Sequence, residues 1–139
     1  MKKILFLFVF ILLAAAAFSQ KKGESLIKGD YEIYDAIGYK RVILFTKEVN
    51  GKTMCGFASG YLEVLVEPIY EDATCRSYEG MWCVKKNGKW GAYDETIRTQ
   101  TVECLYDWIG YWKKENGIIK VQVELNGRRF WIDNKGNRL

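Results

Sequence analysis

The stretch that decides the fold runs from Val84 to Asp94 and reads "VKKNGKWGAYD". Its centre is the dipeptide Asn87-Gly88, with a strand-like run on either side. Asn-Gly between such runs is the strongest short signal for a β-hairpin, because a type I′ turn needs positive φ at both central residues. The stretch therefore predicts a turn at Asn87-Gly88 and a register in which Val84 faces Gly91. Because Gly91 has no side chain, we expect a ring from the adjoining strand to settle over its backbone.

This stretch belongs to the middle copy of a unit that occurs three times. Each copy begins with a tyrosine motif, at Ile33, Ile69 and Leu105, and contains a later Asn-Gly, at Asn50, Asn87 and Asn126. The tyrosine motifs are 36 residues apart both times. Self-similarity at a period of about 20 to 50 residues is typical of a repeat architecture. We therefore predict three repeats over residues 33–139, with bounds 33–68, 69–104 and 105–139.

The third copy indicates the same kind of hairpin and specifies its register. With a turn at residues 126–127, Val123 faces Phe130 on an apolar face, and Glu124 opposes Arg129 on the other face. Such opposite-charge cross-strand pairs stabilise a sheet modestly. In the middle copy both faces of the hairpin carry apolar groups, which predicts that neighbouring units cover it from both sides.

The fold class that follows is all-β. Each unit reads as an antiparallel meander of three or four strands, and the trailing strand of one unit runs almost directly into the next. No convincing helix appears after the N-terminal segment, and residues 108–117 lie where the other copies have loops. We predict tandem antiparallel β-hairpin repeats, three copies in one small domain.

The repeated unit resembles a known family, the bacterial WG repeat. The middle copy carries the likeness in "NGKWGAYD", preceded by "YEDA" and "EGMWCVKK". The third copy departs at Arg129 and Phe130, where tryptophan and glycine would stand, and the first has Cys55 in place of the tryptophan. The resemblance implies repeated β-hairpins and a binding or scaffolding role, and it supplies no catalytic residue. The positions that it marks as structural are Tyr70, Asn87, Gly88, Trp90, Gly91, Asn126 and Gly127.

The N-terminus has the layout of a secretory signal peptide. Two lysines precede fifteen apolar residues, Ile4 to Phe18, and small residues stand at Ala17 and Ser19 before a break at Gln20. A membrane anchor is the alternative, but such a run spans only about 22 Å as a helix, against a bilayer core of about 30 Å. We predict a signal peptide over residues 1–19, an N-terminal lead over residues 20–32, and a secreted or periplasmic protein without stable membrane insertion after cleavage.

Composition excludes several classes of function. Without Lys2 and Lys3 the chain has 19 basic and 17 acidic residues, a balance too even to indicate nucleic acid or an anionic membrane as partner. The absence of histidine excludes Ser–His and Cys–His nucleophile pairs. Asp94, Asp107 and Asp133 recur at strand ends, where aspartates most often form turns. We predict a non-catalytic protein that needs neither metal nor cofactor.

Cysteine chemistry leaves two readings open. The four cysteines are Cys55, Cys75, Cys83 and Cys104. An even number in an exported chain indicates disulfides, whereas the strand-like runs around Cys55 and Cys83 are also compatible with buried free thiols. Zinc is a poor alternative because no pair has CxxC spacing. Our preferred disulfide joins Cys75 to Cys83, which would face each other across a hairpin.

The remaining class of function is binding, which the aromatic residues indicate. The cluster with the strongest signal comprises Trp108, Tyr111, Trp112, Lys113 and Lys114. Flat rings beside polar groups suit sugars or protein hot spots, although a small β domain also needs aromatics to fill its core. The preferred function is an exported interaction or scaffolding module of a bacterial cell envelope with a protein or glycan partner. The alternative is an envelope carbohydrate-binding protein.

Overall fold

The computed structural model describes residues 21–26, 32–35, 42–75, 78 and 80–139. The predicted signal peptide lies outside these residues. The described part of the chain is built from strands and turns, without a helix, so the predicted all-β class is confirmed.

The strands form three antiparallel sheets that follow one another along the chain. The first sheet has the order β1 (Glu32–Asp35), β2 (Ile43–Val49), β3 (Lys52–Ala58) and β4 (Val64–Tyr70). The second has the order β5 (Asp72–Cys75), β6 (Met81–Lys86), β7 (Lys89–Asp94) and β8 (Thr99–Tyr106). In the third, β9 (Trp108–Ile109) and β10 (Lys113–Glu115) both pair with β11 (Ile118–Leu125), which pairs with β12 (Arg128–Asp133).

The predicted Asn-Gly turns are confirmed. The φ angles are 52° and 75° at Asn87 and Gly88, and 52° and 77° at Asn126 and Gly127, as a type I′ turn requires. The turn at residues 50–51 has the same signs. In both later hairpins the register is also the predicted one, since Val84 pairs with Gly91, Val123 with Phe130 and Glu124 with Arg129.

The expectation of a loop over residues 108–117 is wrong. This segment contains β9 and β10, and a further turn at Asn116 and Gly117 joins β10 to β11 with φ angles of 51° and 78°. The chemical signal was present in the sequence, because Asn116-Gly117 is the same dipeptide that forms the other hairpins.

The second sheet lies between the other two, as the apolar groups on both faces of its hairpin predicted. On one face, Trp82 and Val84 are buried in a core shared with the first sheet. The ring of Phe57, from the first sheet, stacks on Tyr93 with centroids 4.5 Å apart. On the other face, Cys83 is buried in a core shared with the third sheet. Alternate residues of β6 therefore connect all three sheets.

The Trp90-Gly91 dipeptide has a packing role. Trp90 is half-buried against the core between the second and third sheets, and Gly91 is fully buried. The expectation that a ring covers Gly91 is wrong, because the backbone of β8 lies there instead. A Cβ at this position would lie 2.8 Å from the carbonyl carbon of Glu103. A register shift between β7 and β8 at this point lets the backbones approach so closely.

In the second and third sheets, a tyrosine–acid pair supports the hairpin turn at residues 87–88 and 126–127. Tyr70 and Tyr106 are buried. The adjacent Glu71 accepts a hydrogen bond from the backbone N–H of Gly88 at 3.0 Å, and Asp107 accepts one from Asn126 at 3.1 Å. Asp107 also forms an ion pair with Lys89. The hydrogen bond from Lys89 and the backbone N–H hold the pKa of Asp107 below its usual value.

The preferred disulfide does not fit the observed register. Cys83 pairs with Thr74, and Cys75 pairs with Trp82, so the two cysteines are not directly opposite each other. Cys55, Cys83 and Cys104 are present as thiols. Burial raises the pKa of Cys55 and of Cys104, which disfavours the thiolate that oxidation requires.

Buried tyrosines make the stability of this fold sensitive to alkali. Burial raises the pKa of Tyr93 to about 12, and it also raises the pKa of Tyr70. Below pH 10 both the folded and the unfolded chain keep these protons. Above it the unfolded chain loses them first, so the free energy of unfolding falls as the pH rises through 10 to 12.

The variant Tyr93→Phe is expected to lose less stability in alkali than the parent protein, by roughly 1–2 kcal/mol at high pH. At neutral pH it should be at least as stable as the parent. In the parent protein the Tyr93 hydroxyl is buried and has no hydrogen-bond partner among the described residues. Removing this hydroxyl therefore relieves a desolvation cost. Urea titrations at a series of pH values measure both effects. Tyr61→Phe is the control, because Tyr61 is 96% exposed, and an equal alkaline response in both variants would contradict the prediction.

Candidate functional site

The predicted binding residues lie on the edge strand of the third sheet, which contains a β-bulge. The N–H of Gly110 donates to the carbonyl of Gln122 at 2.9 Å, whereas the next paired residue, Lys113, lies opposite Lys120. Residues 111–112 therefore stand opposite the single residue Val121. A bulge of this kind bends a strand and redirects its side chains.

Trp112 points into the core, so the prediction that its ring contacts a partner is wrong. The side chain is 0% exposed and packs in the cluster between the second and third sheets. Its indole N–H is buried and has no acceptor among the described residues. The physical reason is the bulge, whose extra residue could not be detected before the partner strand was known.

Tyr111 and Lys114 lie on the surface, as a binding role requires. Tyr111 is 68% exposed although its neighbour Trp112 is buried, so the bulge separates two rings that are adjacent in sequence. Lys114 is also exposed. The exposed edge of the third sheet therefore carries the ring of Tyr111 and, further along the same edge, the side chain of Lys114.

Trp108 is more enclosed than a free binding ring would be. Its indole lies against Gly110, where a Cβ would come within 3.0 Å of the ring edge. The guanidinium of Arg129 lies over the ring, 4.1 Å from its centroid, and Arg129 Nε is 3.6 Å from a carboxylate oxygen of Glu124. This arrangement resembles packing at the end of a sheet more than an open platform for a ligand.

Lys113 belongs to a group of four side chains that we name the lysine–tryptophan cluster: Lys113, Glu115, Lys120 and Trp131. The two ammonium groups lie 4.8 Å and 5.1 Å from the centroid of Trp131. They also donate to Glu115, with Nζ–Oε distances of 2.9 Å and 3.2 Å. Lys120 and Trp131 alternate along their strands with the buried Val121 and Ile132, so the cluster lies on the face opposite the core.

Sequence reasoning missed three members of this cluster, and one signal could have found them. Once a turn is placed at residues 116–117, the two-residue loop brings Glu115 beside Ile118 and Lys113 opposite Lys120. The third-copy hairpin register then places Trp131 on the next strand, on the same face. Because residues 108–117 were expected to form a loop, which has no cross-strand register, the sequence did not predict which side chains lie beside Lys113.

The electrostatics of the cluster favour an ionised carboxylate. Hydrogen bonds from Lys113 and then Lys120 hold the pKa of Glu115 below its usual value. Glu115 remains open to water, since its side chain is 50% exposed. The cluster thus combines two cations and one accessible anion on an aromatic ring.

Positive charge is concentrated in the third repeat. Residues 105–139 contain seven basic and four acidic residues. Residues 33–68 contain four of each, and residues 69–104 contain five basic and six acidic residues. Basic and acidic residues are therefore nearly balanced over the whole chain but not over residues 105–139, which are cationic.

The described part of the chain contains neither a cluster of metal ligands nor a helix that could span a membrane. Within the described ranges, no group of three or more histidine, cysteine, aspartate or glutamate side chains could hold a metal ion. In the same part of the chain, no helix is long and apolar enough to cross a membrane.

Comparison with known proteins identifies one copy of the repeat. The family model described as "WG containing repeat" matches residues 63–90. This segment runs from the residue before β4 through the hairpin turn at residues 87–88 to Trp90. The match confirms the family resemblance for the middle copy. No curated protein and no solved structure matched the chain.

Proposed function

We propose that this chain, which carries a WG repeat, is an exported, non-catalytic interaction or scaffolding module of a bacterial cell envelope. The observation that carries the proposal is the surface of the third sheet, where the exposed Tyr111 and the lysine–tryptophan cluster lie outside the core. Tyrosine and tryptophan rings are enriched at the centres of protein interfaces, and charged side chains suit the polar rim that surrounds such a centre. The signal-like N-terminus supports export.

The positions of the repeated aspartates support a role without catalysis. Asp94 accepts a hydrogen bond from the backbone N–H of Thr96 at 2.9 Å. Asp133 accepts two such bonds, from Lys135 and Asn137, each at 2.9 Å. Asp107 supports the turn at residues 126–127, as described above. Each carboxylate thus has a structural partner that accounts for its recurrence in the sequence.

Carbohydrate binding is the second candidate. The observation in its favour is the combination of Tyr111, which is 68% exposed, with hydrogen-bond donors and acceptors from Lys113 and Glu115 nearby on the same edge strand. Sugar sites commonly combine a flat ring with a few polar groups that fix orientation. Reproducible binding on a glycan array that free sugar competes away would favour this candidate over a protein partner.

The test is affinity capture of envelope components from the producing cells, using the mature protein and two matched variants. Tyr111→Ala removes an exposed ring from the third sheet. Tyr61→Ala removes a ring that is 96% exposed from the loop between β3 and β4. We expect the parent and Tyr61→Ala to capture the same partner and Tyr111→Ala to lose it. The natural protein should also begin at Gln20 by mass spectrometry.

Equal capture by both variants would contradict the assignment of the third sheet as the binding surface. An intact Met1 on a membrane-bound product would contradict export. Circular dichroism of both variants should match the parent spectrum, because neither ring is buried.

A further inference from the structure

We propose that the lysine–tryptophan cluster binds carboxylate groups of an acidic polysaccharide, and that Glu115 occupies the site in the free protein. Lys113 and Lys120 are the residues that hold the carboxylate. The inference rests on the proposed function, because it names the ligand class of the same surface.

The geometry of the two lysines is that of a carboxylate clamp. Their ammonium groups, from neighbouring strands, converge on the two oxygens of one carboxylate, at 2.9 Å and 3.2 Å. Both also lie within 5.1 Å of the centroid of Trp131. A ring that attracts both cations restricts their side chains, which lowers the entropy cost of binding an anion. The site is therefore partly organised before a ligand arrives.

Glu115 is a replaceable occupant of this clamp. It ends the three-residue strand β10, directly before the turn at residues 116–117. Its side chain is half exposed. Exposed ion pairs contribute little net stability, because each charge is well hydrated when the pair opens. A ligand carboxylate can take its place at small cost to the fold.

The charge distribution indicates a polymer that carries many carboxylates. The third repeat has three more basic than acidic residues, whereas the first is balanced and the second has one acidic residue in excess. Arg128 and Lys114 are also exposed and add positive charge to the third sheet, on the face opposite the clamp. A cationic end attracts a polyanion at long range, and several weak carboxylate contacts along one chain reinforce each other. The exposed Tyr111 on the same edge supplies a flat ring for a sugar unit.

The test uses isothermal titration of the mature protein with an oligogalacturonate at low salt. The same oligomer with its carboxyl groups methyl-esterified is the matched probe. We expect the acid to bind and the ester not to bind. Lys113→Gln and Lys120→Gln should each weaken binding by roughly tenfold, the size expected for one charge-assisted hydrogen bond at the surface. Lys52→Gln, an exposed lysine beside the turn of the first repeat, should leave binding unchanged.

Glu115→Gln separates the clamp from a simple charge effect. Because it removes the internal carboxylate, it should tighten oligogalacturonate binding several-fold, and it should do so only when Lys113 and Lys120 are both present. Circular dichroism should show that all the variants keep the β-sheet spectrum.

Three results would overturn the inference: equal binding of the ester, weaker binding by Glu115→Gln, or equally tight binding of a poly-glutamate peptide. The last would assign the site to acidic peptides instead. If oligogalacturonate fails while Tyr111→Ala still abolishes capture of an envelope partner, the ligand class is wrong and the interaction module stands. If capture is also unaffected, the proposed function fails as well.

Discussion

Gly91→Val is expected to lower the free energy of unfolding by more than about 4 kcal/mol, a large part of the total for a small domain. A Cβ at this position would lie 2.8 Å from both the carbonyl carbon and the oxygen of Glu103, and it would collide with the carbonyl oxygen of Val102. All of these atoms belong to the backbone of β8, so a rotamer change cannot relieve the clash. Urea unfolding followed by tryptophan fluorescence measures the loss.

Gly60→Ala is the control for this substitution. Gly60 has no atom within 4 Å of a Cβ, and its φ is not positive. Its replacement should change stability by less than about 1 kcal/mol. A Gly91 variant that unfolds at the same urea concentration as the control would show that the backbone of β8 does not lie this close to Gly91.

The same close approach of two backbones explains why the three copies differ at this position. In the first copy, Gly56 meets the carbonyl oxygen of Val66 in the same manner, with a Cβ distance of 2.6 Å. In the third copy Phe130 takes the place of the glycine. Its ring contacts Tyr106, with centroids 6.0 Å apart, and lies under the guanidinium of Arg138. No strand among the described residues runs over Phe130, so a side chain fits there. The glycine is required where the fourth strand of a sheet shifts its register beside the hairpin and brings its backbone close to that position.

Local signals in the sequence predicted much of this fold. A type I′ turn is specified by two residues, and a two-residue turn fixes the register of both strands, so the hairpins at residues 87–88 and 126–127 could be placed in detail. The burial of β6 on both faces followed from its apolar pattern. The close approach at Gly91 could not be predicted, because it depends on where β8 shifts its register.

The candidate site was predictable only in part, for a related reason. Tyr111 and Trp112 are adjacent aromatics, and composition alone treats them alike. Tyr111 is exposed and Trp112 is buried because of a bulge, in which these two residues stand opposite the single residue Val121 on another strand. The contribution of Trp131 likewise required the register of three strands together.

Trp112→Ala is therefore expected to be strongly destabilising, whereas Tyr111→Ala should leave the melting midpoint nearly unchanged. Truncation of a fully buried aromatic side chain typically costs about 3–5 kcal/mol. The cost here should fall near the lower end, because the variant also removes an indole N–H that is buried without an acceptor among the described residues. Trp90→Ala should cost less than Trp112→Ala, since Trp90 is only half-buried.

Trp112→Phe distinguishes the volume of the ring from its polar group. Phenylalanine keeps an aromatic ring in the core and removes the unpaired N–H, so this variant should be much more stable than Trp112→Ala. Thermal melting of Tyr111→Ala, Trp112→Ala and Trp112→Phe, recorded side by side, measures these differences. If Tyr111→Ala melts early while Trp112→Ala melts with the parent, the bulge directs the two rings the opposite way. The partner-contacting ring would then be Trp112, and the proposed surface would have to be rebuilt around it.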